Sequence, residues 1–431
     1  MERNALDELK KWKDDKNRKP LILKGARQVG KTWLMKEFGK KCYKDYVYYN
    51  FDEDINLQSI FKTNKNPERI VELLSMISGK KINKYSTLII FDEIQESPDT
   101  LNCLKYFNEQ ANDYHIVAAG SLLGTLLAKP KSYPVGKVNL LDLAPLTFDE
   151  FLNATDENLY RYYRSIEKGN SIEEIFHNKL LEAYRYYLII GGMPECVNSW
   201  VNNRNPEDIF RIQHELTEVY ENDFSKHNGK INSGRILMVF RSIVSQLAKE
   251  NEKFIYGVIK EGARAREFEE AIEWLVSAGM VNRVYNLSKP EHPLPAYDRL
   301  DAFKLYMFDT GLLKYMAGVD NSAILLESAF QFKGPLVENY VLQQLKNKFD
   351  VAPRYYSDRS GEIDFILQHG QKIIPIEVKS GKNKKAATFK RYISESKPEI
   401  AVRFSERGYV KDGNIINIPL YLVNRVSDLI V

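Results

Sequence analysis

The sequence predicts an α/β protein built from several domains. Its 431 residues are too many for one ordinary core and suggest two to four domains, at roughly 100–200 residues each. Short apolar runs alternate with helix-period segments in the first part of the chain, as in a parallel sheet covered by helices on both faces. The later parts are first helical and then mixed. We expect four parts, at residues 1–160, 161–232, 233–327 and 328–431.

The composition is that of a globular protein, with 44% hydrophobic and 28% charged residues. The cysteines Cys42, Cys103 and Cys196 form no C-x-x-C pair, which argues against a disulfide framework or a zinc site and fits a reducing compartment. We found no signal-peptide pattern and no apolar run long enough to span a bilayer, so a cytoplasmic protein without a membrane partner is expected. From Ser328 onward, 17 Lys and Arg residues stand against 11 Asp and Glu residues, which permits a polyanionic partner without requiring one.

The first part begins with the order strand, loop, helix. A buried-strand pattern at Leu21-Ile22-Leu23 leads into a glycine-bearing loop and an apolar helix that runs through Phe38. Strand-like runs and helix-period segments then alternate, at Tyr46–Tyr49, Arg69–Ser78, Thr87–Phe91, Leu101–Ala111 and His115–Ala119.

The loop matches the phosphate-binding pattern G-x-x-x-x-G-K-[ST]. Its residues are Gly25, Ala26, Arg27, Gln28, Val29, Gly30, Lys31 and Thr32, followed by Trp33. Between a strand and a helix, backbone N–H groups of such a loop can cradle phosphate oxygens, with the helix N-terminus adding its dipole. Lys31 would reach the terminal phosphates, and the Thr32 hydroxyl would hold Mg²⁺. The loop therefore predicts binding of ATP and Mg²⁺; a plain glycine-rich turn is the alternative.

Two acids end the apolar strand at Thr87–Phe91. Asp92 can fix the Mg²⁺ shell, and Glu93 can orient and deprotonate an attacking water. A solvated turn is the alternative for this pair. Ser121, just after the His115–Ala119 strand, is a candidate sensor of the terminal phosphate, although small residues are common after strands.

Several motifs together resemble one known family, the AAA-like P-loop ATPases of bacteria and archaea with a C-terminal domain of unknown function. They are the phosphate loop with Trp33, Asp92-Glu93-Ile94-Gln95 with Pro98, Gly120-Ser121-Leu122-Leu123, Pro134-Val135-Gly136-Lys137, Pro145-Leu146-Thr147-Phe148 and Gly191-Gly192-Met193-Pro194. The resemblance spans nearly the whole chain. It implies a RecA/AAA-like ATPase core, a helical and winged-helix middle, and a C-terminal region similar to restriction-endonuclease-like nucleases. Arg27 lies in the loop itself, and Lys137 stands where a basic finger could follow Gly136.

The middle of the chain predicts a helical lid followed by a winged helix. Residues 172–224 are helical and rich in Tyr, with a turn forced at Gly191–Glu195. We expect the tyrosines of residues 160–187 to pack in the lid rather than to stack on bases. Three helices and two strands follow, in winged-helix order, at Arg235–Lys249, Tyr256–Lys260, Arg264–Ala278, Val281–Leu287 and Phe303–Phe308. Arg264 and Arg266 favour DNA contact by the third helix, whereas its glutamates oppose it.

The last part predicts an α-β-β-β-α-β domain with a carboxylate site. Alternation on a strand puts Glu377 and Lys379 on one face, toward Asp364 of the neighbouring strand-like run. This looks like the D…E-x-K signature of restriction-type nucleases, in which carboxylates hold Mg²⁺ and the Lys positions a water. Glu338 resembles the additional acidic ligand. An ion-paired Glu377 and Lys379 on a degenerate domain is the alternative.

The leading hypothesis is an ATPase that couples ATP turnover to a metal-dependent nuclease-like domain acting on DNA or RNA. The rivals are an ATP-dependent switch whose C-terminal domain binds without cutting, and a protein remodeller. A homo-oligomer is left open.

Overall fold

The computed structural model describes residues 1–54, 56–120, 136–227, 229–249, 253–328, 330–346, 348–349, 351–359, 361–380 and 387–430. The chain divides into two compact units. The phosphate-loop unit comprises Glu2–Ala144 and Trp274–Met280. The larger unit comprises Pro145–Glu273 and Val281–Val431.

The phosphate-loop unit is built on a five-stranded sheet in which every pairing is parallel, so the predicted parallel sheet is confirmed. The strand order is β2-β3-β4-β1-β5. The strands are β1 (Leu21–Lys24), β2 (Asp45–Asn50), β3 (Thr87–Asp92), β4 (His115–Ala119) and β5 (Asn139–Asp142). Strand β1 lies between β4 and β5, and β3 lies beside β4. The carboxyl ends of β1 and β3 therefore face the same edge of the sheet.

Helices cover this sheet, because each strand in its middle carries buried apolar side chains on both faces. The helices are Ala5–Asp14, Lys31–Cys42, Leu57–Thr63, Pro67–Ser78 and Pro98–Gln110, with a 3₁₀ turn at Ile94–Glu96. One core joins Ile89 and Phe91 of β3 to Phe61, Leu74 and Leu104 of three helices.

The phosphate-loop unit ends at Ala144 rather than near residue 160 as predicted. A helix at Phe148–Thr155 begins with a capping box between Thr147 and Glu150. The buried ring of Phe148 packs edge-on against Tyr163 and Tyr187 of the larger unit. These aromatic contacts place residues 145–160 in the larger unit.

The larger unit begins as a group of helices, as predicted for residues 161–232. They are Phe148–Thr155, Glu157–Ser165, Glu174–Ile190, Pro194–Asn203 and Pro206–His227. Tyr163, Tyr184 and Tyr187 are fully buried, which confirms that these tyrosines serve packing. The Gly191-Gly192 turn needs glycine at its second position, because a Cβ on Gly192 would lie 2.1 Å from the Leu146 carbonyl oxygen. The role of these helices as a lid stays a prediction.

Helices and a hairpin follow in the predicted order. The helices are Gly229–Ala248, Tyr256–Ile259 and Ala265–Ser277, and the antiparallel strands are β6 (Val281–Leu287) and β7 (Asp298–Met307), with a 3₁₀ turn at Leu294–Tyr297 between them. A winged-helix fold for this segment stays a prediction. Short helices at Thr310–Met316 and Asn321–Leu325 lead onward.

The two predicted helices and four predicted strands of the C-terminal part are present, in the expected order. They are the helix Lys333–Leu345, β8 (Arg354–Asp358), β9 (Gly361–His369), β10 (Lys372–Val378), the helix Ala387–Ser396 and β11 (Ala401–Ser405). The sequence reading missed the elements after them, namely β12 (Val410–Asp412), β13 (Ile415–Pro419), a 3₁₀ turn Leu420–Arg425 and a helix Val426–Ile430.

The hairpin that was expected in the winged helix pairs with the sheet of the C-terminal part. Eight strands run in the order β12-β13-β11-β10-β9-β8-β6-β7, so the hairpin β6-β7 extends the C-terminal sheet. The Arg354 guanidinium donates to both Asp298 carboxylate oxygens, at 2.6 and 2.8 Å. Leu287 and Leu294 share a core with Ile366 and Phe389. The hairpin and the C-terminal strands therefore form one structural body.

All three cysteines carry free thiols, as the sequence indicates. Among the described residues, no helix combines the length and the apolar character that crossing a membrane requires.

Candidate functional site

The phosphate loop leaves β1 at Gly25 and enters a helix at Lys31. Gly25 has φ 144°, and a Cβ there would lie 2.2 Å from the Leu143 carbonyl oxygen, so only glycine fits. Gly30, with φ 94°, is the N-cap of the helix Lys31–Cys42. The loop therefore wraps tightly around the N-terminus of this helix, which favours negative charge.

Arg3 braces the loop from the N-terminal segment, a role that the sequence reading missed. Its buried guanidinium donates to the Val29 carbonyl oxygen at 2.9 Å and to the Ala144 carbonyl oxygen at 2.7 Å. One charged side chain thus ties the loop to the end of the segment that follows β5. A separation of 141 residues between Arg3 and Ala144 hides this contact from motif analysis.

The Lys31 ammonium lies inside the loop. It donates to the carbonyl oxygens of Gly25 at 2.9 Å and Ala26 at 2.7 Å. Burial lowers the pKa of Lys31 to about 8, against the opposing effect of the charges on Glu93 and Asp92. Lys31 is thus a poorly hydrated ammonium aimed along the loop, where a phosphate oxygen would be a stronger partner than a neutral carbonyl.

Thr32 and Asp92 meet beside the loop. The Thr32 hydroxyl donates to Asp92 Oδ2 at 2.6 Å, although 60 residues separate them. Tyr48 of β2 donates its hydroxyl to the same oxygen at 3.0 Å, and burial together with the Asp92 charge raises the pKa of Tyr48 above its usual range. The two predicted Mg²⁺ ligands are therefore adjacent, and Tyr48 orients one of them.

Glu93 occupies a strained backbone position next to Asp92. Its φ of 49° and ψ of 42° lie in the left-handed region, which non-glycine residues seldom adopt away from turns and functional sites. The backbone N–H of Glu93 donates to Asp92 Oδ1 at 3.0 Å, and the Gln95 amide donates to Glu93 Oε2. The turn thus changes the course of the chain directly after Asp92, and Gln95 holds the Glu93 carboxylate through Oε2.

The other residues that were considered for this site are Trp33, Lys137, Ser121, Arg27 and Gln28. The side chain of Trp33 is 44% exposed in the first turn of the helix. Lys137 pairs with Glu109 at 2.8 Å. Ser121 lies outside the described residues. The roles of Arg27 and Gln28 stay predictions.

A turn from a distant part of the sequence also belongs to the phosphate-loop unit. Gly279, within Trp274–Met280, has φ 73°, and a Cβ on it would lie 3.3 Å from the Ala26 backbone nitrogen. The sequence reading assigned this segment to the winged helix and did not connect it with the loop. The structure brings it against the backbone of Gly25 and Ala26.

The larger unit contains the predicted C-terminal carboxylates around one cavity of about 380 Å³. Strand β9 contributes Glu362 and Asp364, the helix Lys333–Leu345 contributes Glu338, and Lys379 follows β10. The buried Glu377 lies on β10 next to them. Four residues that the sequence brought together as candidates, Glu338, Asp364, Glu377 and Lys379, therefore occupy one site.

Asp364 is surrounded by negative charge. Burial, Glu338 and Glu377 raise its pKa well above the usual range of a carboxyl group, while a hydrogen bond from the Val378 N–H, at 2.6 Å, opposes this shift. Glu377 forms an ion pair with Lys379. The Tyr306 hydroxyl donates to Glu338 Oε2 at 3.3 Å.

Lys304 of β7 is a further charged residue of this cavity, and the sequence reading missed it. Its ammonium pairs with Glu362, and its side chain is only 12% exposed. Glu362, Glu338 and Asp364 together raise the pKa of Lys304 in spite of its burial. Lys304 therefore stays charged at neutral pH.

The donors of this cavity suit a hard divalent cation, because carboxylate oxygens are the ligands that Mg²⁺ prefers. In their present arrangement, however, the described His, Cys, Asp and Glu side chains include no group of three or more that could hold a metal ion. Two of the four carboxylates, Glu362 and Glu377, are engaged by lysines. The predicted ligand set fits the cation in its chemistry, although one member, Glu377, is ion-paired with Lys379.

Three protein families match successive parts of the chain. Residues 17–152 match a family described as AAA domain. Residues 181–323 and 333–422 match two families described as domains of unknown function, DUF8612 and DUF4143. The AAA match, which includes the loop, Asp92 and Glu93, supports a P-loop ATPase. Neither of the other two matches names an activity.

One full-length relative is similar in sequence. The uncharacterized protein MJ1544 of Methanocaldococcus jannaschii is 23% identical over 411 residues, which cover 93% of this chain and 81% of that protein. Among solved structures, the Walker-type ATPase PABY2304 of Pyrococcus abyssi has a TM-score of 0.45 at 14% identity, over 73% of this chain and 95% of its own. Cdc6p of Pyrobaculum aerophilum has a TM-score of 0.27 at 14% identity, over 75% and 93%.

Proposed function

We propose that this P-loop ATPase binds ATP with Mg²⁺ at the phosphate loop and hydrolyses it with Glu93 as the general base. The observation that carries the proposal is the 2.6 Å hydrogen bond between Thr32 and Asp92. These two oxygen ligands come from different elements, and a plain glycine-rich turn would give no reason for them to meet. Mg²⁺ bound there would neutralise charge on the β- and γ-phosphates.

Lys31 and the loop backbone bind the phosphates in this proposal. The Lys31 ammonium exchanges the Gly25 and Ala26 carbonyl oxygens, at 2.9 and 2.7 Å, for oxygens of the β- and γ-phosphates. This exchange is favourable because a phosphate oxygen carries charge and a carbonyl oxygen does not. Arg3 keeps the loop in shape through its bond to the Val29 carbonyl.

Glu93 acts on the attacking water. It accepts a proton as the water oxygen bonds to the γ-phosphorus and the bond to the ADP oxygen breaks, which yields ADP and inorganic phosphate. The hydrogen bond from the Gln95 amide to Glu93 Oε2 positions this carboxylate for the proton transfer. Asp92 stays with the cation because Thr32 and Tyr48 hold it.

The test is phosphate release by the full chain, with Mg²⁺ and with the chelator EDTA. We expect release that depends on Mg²⁺ and is lost in Asp92→Asn. Asp52→Asn, an exposed acid just after β2, is the matched control and should keep the activity. Equal release by wild type and Asp92→Asn would refute the assignment.

We further propose that the carboxylate cavity of the larger unit acts on a phosphodiester, so that ATP turnover drives a nuclease-like domain. Glu338, Asp364 and Glu377 would hold the cation, and Lys379 would position the water. Glu338, Asp364 and Lys379 line one cavity, and Glu377 is ion-paired with Lys379, which supports the proposal. A switch or remodeller that binds DNA, RNA or protein without cutting is the alternative, and the ion pair between Glu377 and Lys379 favours it.

Cleavage assays distinguish these two readings. Single-stranded DNA, duplex DNA and RNA are incubated with Mg²⁺ or Mn²⁺, with and without ATP. Cleavage that disappears in Asp364→Ala, Glu377→Ala and Lys379→Ala, with ATP hydrolysis retained, supports the nuclease-like reading. Asp412→Ala, an exposed acid on β12, is the control. If the wild-type protein cleaves none of these substrates, the nuclease-like proposal is wrong and the non-cleaving switch or remodeller remains.

A further inference from the structure

The carboxylate cavity is lined from two regions that the sequence reading had separated. Gln246, Lys253, Lys304 and Tyr306 come from the segment predicted as a winged helix, and the carboxylates come mainly from the C-terminal strands. Strands β7 and β9 belong to one sheet, and both sets of side chains line the same cavity. Lys304 is the charged member of the first set that reaches the carboxylates.

Carboxyl groups outnumber lysines in this site. Among the described residues there are four carboxylates, and the two lysines that pair with them are Lys304 and Lys379. The Lys304 side chain is 12% exposed and that of Glu362 25%, so water screens their ion pair only weakly. With the exposed Lys253 counted, the four carboxyl groups exceed the lysines by one, and such a poorly solvated cavity favours uptake of a cation. Each lysine lowers that tendency.

We propose that Lys304 is the internal counter-cation of this cavity, and that a divalent cation and the Lys304 ammonium compete for the same carboxylates. The inference rests on the carboxylate cavity proposed above, but not on cleavage. Lys304 acts as a positioning residue, because it withdraws Glu362 from the cation and places a positive charge near Glu338 and Asp364.

Ion pairs engage two of the four carboxylates, and the carboxylates that the structure describes offer no group of three for a metal ion. Lys304 holds Glu362 toward β7, and Lys379 holds Glu377. A divalent cation and the Lys304 ammonium would repel each other strongly if both bound the same carboxylates. The cation therefore enters only if the ammonium moves away. Lys379 belongs to the E-x-K motif and is expected in such a site, whereas Lys304 is not part of that motif.

The experiment measures Mn²⁺ binding to the full chain by titration calorimetry without nucleotide. Binding of Mn²⁺ to this cavity is taken as the part of the binding heat that is lost in Asp364→Ala. Lys304→Met removes the ammonium and keeps the length of the side chain, whereas Glu362→Gln removes its partner. Lys253→Met, an exposed lysine at the same cavity, is the matched control. Circular dichroism and thermal melting show whether each variant folds.

We expect Lys304→Met to bind Mn²⁺ about tenfold more tightly than wild type, because one opposing charge is gone. Glu362→Gln should bind more weakly, since the released ammonium then turns to Glu338 and Asp364. The double variant should fall between the two. Opposite signs in the two single variants cannot come from misfolding. Unchanged or weaker binding in Lys304→Met, no Asp364-dependent heat in that variant, or an equal gain in Lys253→Met would overturn the proposal.

A missing nuclease activity would leave this inference intact. If no nucleic acid is cleaved but Lys304→Met gains Mn²⁺ affinity, the cavity is a cation site that Lys304 regulates. If cleavage occurs but the Mn²⁺ affinity does not change in Lys304→Met, the nuclease-like proposal is supported. The proposal that Lys304 is the internal counter-cation is then wrong.

Discussion

The Thr32 hydroxyl donates a 2.6 Å hydrogen bond to the Asp92 carboxylate, which connects the phosphate loop to the end of β3. Parallel pairing explains this contact, because β4 lies between β1 and β3 and brings their carboxyl ends to the same edge. Tyr48 supports the contact from β2 by donating to the same carboxylate oxygen. The predictions below follow from this arrangement and from the packing around it.

Replacing Lys31 with Ala should abolish ATP binding or weaken it severely. The Lys31 ammonium lies inside the loop, within 2.9 Å of two loop carbonyl oxygens that a phosphate would replace. Titration calorimetry with ATP and Mg²⁺ measures the effect. Lys40→Ala, exposed in the last turn of the same helix, should bind like wild type. If Lys31→Ala binds ATP with wild-type affinity, Lys31 does not contribute to ATP binding.

Tyr48→Phe should weaken the dependence of ATP hydrolysis on Mg²⁺ without abolishing hydrolysis. The change removes one hydrogen bond to Asp92 Oδ2 and keeps the ring that lies against Lys36. A lost hydrogen bond of this kind costs about 1 kcal/mol, so the Mg²⁺ concentration for half-maximal rate should rise several-fold. Tyr46→Phe, on the same strand, serves as the control. Identical Mg²⁺ curves for wild type and Tyr48→Phe would mean that Tyr48 does not position Asp92.

Gly279→Val should weaken ATP binding, whereas Gly262→Val should not. Both glycines have φ near 75°, so valine is strained at both positions and lowers stability by about 1–2 kcal/mol. Only Gly279 lies against the phosphate loop, 3.3 Å from the Ala26 nitrogen as measured from a Cβ added to it. Calorimetry with ATP and thermal melting separate affinity from stability. Equal loss of affinity in both variants would show that the contact with the loop is irrelevant.

The sequence alone predicted the parts of the site that are local. The loop, the strand that ends at Asp92 and the parallel sheet follow from patterns shorter than about 15 residues. Arg3, Tyr48 and Lys304 could not be found in this way, because each acts on a residue at least 26 positions away. The pairing of the hairpin with the C-terminal sheet could not be predicted for the same reason. Helical and strand periods in the sequence do not reveal that β6 pairs with β8.

The free energy of unfolding should fall as the pH is lowered from about 6.5 toward 4, in part because of His115. Burial lowers the pKa of His115 to about 4, with Arg18 and Lys13 adding to the shift. An unfolded His has a pKa of about 6.5, so in this window the unfolded chain takes up a proton that the folded chain does not.

His115→Gln removes this contribution. Chemical denaturation between pH 7 and pH 4.5 should show wild type losing stability relative to the variant as the pH falls. Parallel pH profiles for the two proteins would mean that His115 titrates normally in the folded state. The Tyr43 hydroxyl lies 2.7 Å from His115 Nδ1, so the comparison should be repeated in Tyr43→Phe.

The most direct test of the account is single-turnover ATP hydrolysis by Glu93→Gln, with Glu96→Gln as the control on the same turn. Gln keeps the shape of the side chain but cannot accept the proton of the attacking water, and Asp92 remains to hold the cation. Bound ATP and released phosphate are measured in the same sample. The account predicts that Glu93→Gln retains ATP at wild-type affinity and releases almost no phosphate, while Glu96→Gln behaves as wild type. Wild-type phosphate release from Glu93→Gln would contradict it.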